Sequence, residues 1–161
     1  MIAVQVKDSK GRYITARALI DEGSASSISS LAFVRKLGFT GKPKQRSIAV
    51  VNGENMEKSE RHQLNLLSRR GESLPCDIWT LQKLCESVVP YNWESIQDQY
   101  PHLKHLDLKI PPGSIDILIG LDHDDFVIPS KIRRGKSGEP YGTLTKLGWI
   151  VRGKVPVFER P

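Results

Sequence analysis

The segment from residue 16 to residue 27, ARALIDEGSASS, ends a short apolar run in two adjacent acids. Asp21 and Glu22 follow the apolar triplet ALI directly, and Gly23 and Ser24 come next. An apolar run of this kind predicts a buried strand, and carboxylates at its end are unfavourable unless they bind or react with something. We therefore expect a buried strand that ends at Asp21, with a binding or catalytic site at this end of the strand.

Size and composition predict one globular domain. The 161 residues suffice for a single core, and 39% hydrophobic and 26% charged residues are ordinary for a soluble protein. No apolar run has the length of a membrane span, and the segment MIAVQVKDSKGR is too short and too charged for a signal peptide. Because no membrane span is present, we expect no membrane partner. Cys76 and Cys85 form no CxxC motif, so we expect them to be free thiols in the reducing cytoplasm.

The net charge of +6 comes from small groups of basic residues. A basic excess can mark a nucleic-acid surface, but no group forms a long run and none is interleaved with aromatic residues. We therefore expect a solvated surface and no nucleic-acid partner. The groups are Lys42, Lys44 and Arg46; Arg69 and Arg70; and Lys131, Arg133, Arg134 and Lys136.

Alternating apolar residues and turn signals predict mostly strands over the first two-thirds of the chain. The Asn52-Gly53 pair, the strongest short hairpin signal, is expected to join the third strand to the fourth. A short helix over residues 31–37, capped by Ser29 or Ser30, is expected to end at Gly38. The expected strands cover residues 2–6, 13–20, 46–51, 56–67 and 74–81.

The rest of the chain is more varied. Residues 86–113 contain several prolines and an amphipathic piece, which predict a helical insert or a long packed loop. Residues 115–120, IDILIG, predict a short buried strand that closes on glycine. Acids at 122–125 favour a short helix, and residues 143–151 predict one last strand.

Asp21-Glu22-Gly23 is the chain's single Asp-x-Gly triplet, and such a triplet alone is weak evidence. Its context is more specific. The triplet follows a predicted buried strand, the Asn52-Gly53 hairpin comes after it, and a second apolar strand ends at Gly120 about a hundred residues later.

This ordered set resembles the retropepsin-type aspartic proteases, whose pattern is a strand, Asp-Thr/Ser-Gly, a flap hairpin, further strands, then apolar-apolar-Gly and a short helix. Residues 115–153, IDILIGLDHDDFVIPSKIRRGKSGEPYGTLTKLGWIVRG, are similar to the protease region of BEL/Pao-type retrotransposon polyproteins. There Ile-Asp-x-Leu-Ile-Gly-x-Asp, Arg-Arg-Gly-x-x-Gly-x-Pro-Tyr and Leu-Gly-Trp recur in that order. The likeness spans residues 4–153, and residues 55–113 match only in outline.

The resemblance implies an all-β, retropepsin-like closed barrel with one or two short helices and one lobe per chain. A single domain would cover residues 1–161, with the insert at about 86–113. The implied function is an aspartic endopeptidase that processes a retroelement polyprotein, in the cytoplasm or within virus-like particles. Because the chain carries one Asp-x-Gly triplet, the enzyme would be a homodimer in which two copies of Asp21 share one proton.

The resemblance also implies roles for the neighbours of Asp21. Gly23 would let the backbone approach the substrate, and a Ser24 hydroxyl donating to Asp21 would lower the upper pKa of the pair, with an acidic pH optimum. The flap would carry Val51, Asn52 and Gly53 and would close over an extended peptide. The active-site support would come from Ile119, Gly120 and Asp122, with Asp122 hydrogen-bonded to backbone.

Glu22 departs from the retropepsin pattern, which usually has Thr or Ser at this position. Two copies of Glu22 and two of Asp21 would repel one another across the two-fold axis unless some were protonated or an arginine intervened. One expectation is that dimerisation is weak near pH 7 and strengthens as the pH falls. The other is that Glu22 points outward, to solvent or to Arg17.

Other chemistries have weaker support, and no metal or cofactor is expected. His102, His105 and Asp107 lack a fourth zinc ligand, and the acids at 122–125 lack the glycine and closing Glu of a calcium loop. The serines at 24–30 have no Gly-x-Ser-x-Gly motif, and Trp149 is expected in the core. The alternative function is an inactive retropepsin-like domain that binds protein or nucleic acid through its basic groups.

Overall fold

The computed structural model describes residues 1–50, 53–84, 88 and 91–154. These contain eleven strands, one α-helix and four short 3-10 helices. The strands are β1 (Ile2–Lys7), β2 (Tyr13–Ile20), β3 (Ile28–Ser30), β4 (Lys44–Val50), β5 (Gly53–Ser59), β6 (Arg61–Leu67), β7 (Ser73–Leu81), β8 (Ile117–Ile119), β9 (Lys131–Arg133), β10 (Tyr141–Thr145) and β11 (Gly148–Arg152). The helix α1 covers Leu31–Lys36, and the 3-10 helices cover Trp93–Ser95, Gln97–Gln99, Pro101–Leu103 and Leu121–Phe126.

Six strands form a closed barrel in the order β1-β2-β8-β3-β7-β6, and β6 pairs with β1 to close it. Along β1 every second residue is buried, as the period-2 pattern of residues 2–6 predicted. All three residues of β8 are buried, which explains its unbroken apolar sequence. The predicted all-β closed barrel with short helices is confirmed.

Two neighbouring parallel strands of the barrel determine where Asp21 lies. β2 and β8 pair in parallel, with Ala18 opposite Ile117 and Ile20 opposite Ile119. Both strands therefore end at the same edge of the barrel. The residues that follow them, Asp21 and Gly120, come out side by side although 99 positions separate them in sequence.

The predicted flap hairpin is a separate two-stranded sheet made of β4 and β5. Val50 pairs with Gly53, whose φ of +136° is in a region that favours glycine. Val51 and Asn52, two of the three predicted flap residues, lie outside the described residues. The hairpin position predicted from Asn52-Gly53 agrees with the pairing on either side of it.

The insert is a packed loop with its own small core. Its three 3-10 helices replace the continuous helix that the amphipathic pattern over residues 93–106 also allowed. The core consists of buried Trp93, Ile96, Leu103, Leu106 and Leu108, against which Trp149 packs. The expectation that Trp149 is a core residue agrees with this packing.

Several strand predictions need correction. Residues 143–151 are two strands, β10 and β11, because a turn at Lys146-Leu147 reverses the chain and Thr145 pairs with Gly148. Residues 56–67 are likewise two strands, which separate at the buried Glu60. Within the described part of the chain, no helix is long and apolar enough to cross a membrane.

Candidate active site

Asp21 is held at the edge of the barrel by the backbone of the neighbouring strand. Its main-chain N–H donates to the carbonyl of Ile119 over 3.0 Å, which continues the parallel ladder for one more residue. Its carboxylate accepts the N–H of Gly23 over 2.9 Å, and its carbonyl accepts the N–H of Ser24 over 3.2 Å. The Asp21 side chain is thus fixed at the start of a tight turn and is half-buried.

Gly120 lies against the loop that carries Asp21. A Cβ atom placed on Gly120 would be 2.7 Å from the carbonyl oxygens of both Ser24 and Ser26. The next residue, Leu121, donates its N–H to the same Ser24 carbonyl over 2.8 Å. The two chain segments interlock so closely that only glycine fits at position 120 without moving the backbone.

A polar network behind the loop joins it to the following 3-10 helix. Asp122 accepts two hydrogen bonds from Ser27, one from its main-chain N–H at 3.0 Å and one from its hydroxyl at 2.7 Å. The Ser27 hydroxyl in turn accepts the N–H of Gly120 over 3.0 Å. Asp122 therefore contacts backbone on the far side of the loop, in the place that the resemblance implied.

The structure does not show the expected hydrogen bond from Ser24 to Asp21. The Ser24 hydroxyl donates to the carbonyl of Ser26 over 2.8 Å instead. This bond closes the turn locally, and the hydroxyl is therefore not bonded to the Asp21 carboxylate, as the prediction of an acidic pH optimum had assumed.

Glu22 projects from the loop and pairs with an arginine that the sequence did not indicate. Its carboxylate accepts a hydrogen bond from Arg152, at the end of β11, over 2.8 Å, while its side chain is 63% exposed. Arg17 is not its partner, because that guanidinium binds Asp116 and the carbonyls of Ser114 and Pro112. The expectation that Glu22 points outward holds, with Arg152 in place of Arg17.

Arg46, on the hairpin strand β4, is a second residue that the sequence did not single out. Its guanidinium donates to the Ser26 hydroxyl over 3.1 Å and lies 4.3 Å from the centre of the Trp79 ring. The hairpin therefore touches the same loop that begins at Asp21. A lone arginine in a small basic group carries no local signal for this contact, which depends on the fold.

Residues suggested for other chemistries are not brought together. Among the described residues, no group of three His, Cys, Asp or Glu side chains is placed to hold a metal ion. His102 instead contacts the carbonyl of Pro140 over 2.6 Å.

The Cys76 thiol is fully buried, and burial raises its pKa to about 12, with nearby Asp122 and Asp77 acting in the same direction.

Comparison with known proteins returned no family: no protein-family model matches the chain, and no curated protein sequence matches it.

One half-buried carboxylate cannot both deprotonate a water and protonate a leaving amine in the same step. Two adjacent carboxylates that share one proton can, because like charges a few ångströms apart do not both ionise. In this chain the loop that carries Asp21 is at the surface, and both Glu22 and Gly23 are exposed. A second copy of the loop can therefore approach it.

Proposed function

We propose that this protein is a retropepsin-type aspartic endopeptidase that acts as a homodimer on a polyprotein substrate. The observation that carries the proposal is the interlocked pair of strand ends. Asp21 and Gly23 leave β2 beside Gly120, and the turn is fixed by hydrogen bonds to Ile119 and to Gly23. A carboxylate held this rigidly at an exposed loop is suited to a reaction that needs positioning.

The mechanism follows from the pairing of two such loops. One Asp21 carboxylate takes a proton from a water as the water attacks the amide carbon. The other, protonated, Asp21 gives its proton to the leaving nitrogen, and the pair titrates as a unit. Because the two copies are related by two-fold symmetry, either Asp21 can act as the base while the other acts as the acid.

A patch of exposed apolar residues near the loop supports the homodimer. Leu121, Ile128 and Ile132 are 51%, 59% and 47% exposed. Ile128 and Ile132 line one cavity of about 250 Å³ together with Glu22 and Arg152. Large side chains exposed beside a site that is incomplete in one copy are suited to cover by a second copy.

The β4–β5 hairpin supports an extended peptide as the substrate. Arg46 brings the hairpin into contact with Ser26, five positions after Asp21, so the hairpin lies against the loop that carries Asp21. An extended peptide bound beside the hairpin can add backbone hydrogen bonds as a further strand and turn alternate side chains to opposite faces.

The test is cleavage of a peptide library by the purified protein, followed by mass spectrometry. We expect cleavage that pepstatin-type inhibitors block and that Asp21→Asn abolishes, because asparagine cannot share the proton. Asp125→Asn, an exposed acid on the 3-10 helix, is the matched control and should retain activity.

The alternative, an inactive binding domain, predicts a different result. Wild-type protein that cleaves no peptide at any pH between 3 and 8 would contradict the endopeptidase proposal. Oligonucleotide binding that weakens with salt and survives in Asp21→Asn would favour the alternative.

A further inference from the structure

Arg46 lies on the inner face of the β4–β5 hairpin. Along β4, Arg46 and Ile48 are half-buried whereas their neighbours Gln45 and Ser47 are exposed, as expected for a strand with one face toward the barrel. The Arg46 guanidinium stacks over Trp79 at 4.3 Å and donates one hydrogen bond to the Ser26 hydroxyl.

Among the residues that the structure describes, no carboxylate lies at contact distance from the Arg46 guanidinium. Arg46 forms no salt bridge with any described residue, although Glu57 is directly opposite it in the hairpin register. Burial lowers the pKa of Arg46, and the more distant charge of Asp122 opposes this shift. Arginine stays protonated in proteins, so a partly desolvated cation remains at this place.

This cation lies beside the proposed catalytic loop. Ser26 belongs to the loop that starts at Asp21, and the Ser26 carbonyl lies against Gly120. Arg46 therefore lies where the hairpin meets the loop that carries Asp21. Of its five N–H donors, one is hydrogen-bonded to a described residue, and the stacking on Trp79 limits the motion of the guanidinium.

We propose, on the basis of the endopeptidase function above, that Arg46 is a specificity-determining residue that binds an acidic side chain of the substrate. The guanidinium supplies charge-assisted hydrogen bonds to an Asp or Glu carboxylate, and the Ser26 hydroxyl beside it supplies a further polar contact. The stacking on Trp79 limits the orientations that the guanidinium can take. The substrate class is thus a peptide with an acid at one fixed distance from the cleaved bond.

The experiment uses pairs of peptides that differ only by Glu or Gln, at each position around a cleavage site found in the library. At pH 6 we expect one position at which kcat/KM is about fivefold to tenfold higher for Glu, as for a partly exposed ion pair. In Arg46→Gln this ratio should fall to about one, whatever the change in the rate for the Gln peptide. Arg46→Glu should instead prefer Lys at that position.

Lys58→Gln is the matched control. It removes one positive charge from the same hairpin, but Lys58 is paired with Gln45 on the exposed face. It should keep the Glu preference. The preference of the wild type should also fade as the pH falls through about 4, where a substrate Glu becomes protonated. Each ratio is internal to one variant, so a general loss of stability does not alter it.

Two results would overturn this proposal: a wild type that treats Glu and Gln alike at every position, or a Glu preference that survives in Arg46→Gln. A wild type that cleaves nothing would instead overturn the endopeptidase function. In that event, fluorescence anisotropy with Asp21→Asn and fluorescein-labelled library peptides, paired so that they differ only by Glu or Gln, still decides the role of Arg46. Equal affinity for the Glu and Gln peptides would refute the acid-binding site by itself.

Discussion

Ser27 and Asp122, 95 positions apart, are joined by two hydrogen bonds of 3.0 and 2.7 Å. Through the Ser27 hydroxyl, Asp122 also fixes the N–H of Gly120. Asp122 therefore holds the loop after β2 against the start of the 3-10 helix after β8. It affects the position of Asp21 without touching it.

We expect Asp122→Asn to lower the free energy of unfolding by about 1–2 kcal/mol, because an amide has one acceptor oxygen for two donors. Chemical denaturation measures this. Asp125→Asn on the same 3-10 helix is the control, since the Asp125 carboxylate contacts Lys146 at 3.5 Å on an exposed surface. The control should change stability by less than about 0.5 kcal/mol. Equal losses in both variants would contradict the role of Asp122.

Substitution by alanine should distinguish the two glycines of the site. Gly120→Ala should lower the free energy of unfolding by about 2–3 kcal/mol, because its Cβ would be 2.7 Å from two backbone carbonyls. In Gly23→Ala the new Cβ meets only the Asp21 carboxylate, at 3.1 Å. This variant should fold with a stability within about 0.5 kcal/mol of wild type but lose about tenfold or more in kcat/KM. A fully active Gly23→Ala enzyme would contradict the assignment.

The buried Cys76 thiol should resist alkylation in the folded protein. Its pKa is raised to about 12, chiefly by burial, so almost no thiolate forms at pH 8. In a Cys85→Ser background, which leaves one cysteine, iodoacetamide should modify the native protein at least about a thousandfold more slowly than the protein in denaturant. Rapid modification of the native protein would show that the barrel opens at β7.

Glu60, between β5 and β6, should make stability depend on acid pH. Arg35 hydrogen-bonds to its carboxylate and is the main cause that lowers its pKa, and His62 contributes at 3.1 Å. A lowered carboxyl pKa stabilises the fold above the unfolded value, near 4.3, and this contribution disappears as the pH falls through the folded value. Wild type should therefore be more stable than Glu60→Gln at pH 7, and the difference should shrink at pH 3. A difference independent of pH would contradict this.

Local signals in the sequence were enough to predict the elements whose structure depends on residues close to them in the sequence. β2 covers the predicted residues 13–20, and α1 is capped by Ser30, whose hydroxyl accepts the N–H of Phe33 over 3.1 Å. The three-residue strand β3 has no local signal, because its pairing with β7 and β8 is long-range. The insert was ambiguous because an amphipathic pattern does not distinguish one helix from successive turns that pack against Trp149.

The site was predictable in part. The resemblance to retropepsins implied that the Asp21 and Gly120 segments meet, and the parallel pairing of β2 with β8 brings them together. The partners Arg46 and Arg152 were not predictable. Each reaches the loop from a distant element, and each lies in a stretch with no distinguishing motif.

Arg152 should determine how dimerisation depends on pH. The sequence-based expectation of a weak dimer near pH 7 assumed unpaired Glu22 carboxylates, and the Arg152 contact at 2.8 Å neutralises each of them in its own chain. We therefore expect the wild type to dimerise with little pH dependence between 5 and 7. Arg152→Met should raise the dimer dissociation constant about tenfold at pH 7, and by less in more acidic solution, where repulsion between carboxyl groups weakens.

Sedimentation velocity across this pH range measures the effect, and Arg152→Lys, which keeps the positive charge, is the control. Glu22→Ser in the Arg152→Met background should restore tight dimerisation at pH 7, because the repelling carboxylates are gone. If Arg152→Met dimerises as tightly as wild type at pH 7, the two Glu22 side chains do not approach each other. The Asp21 loops would then not meet across a two-fold axis, and the shared-proton mechanism would fail with them.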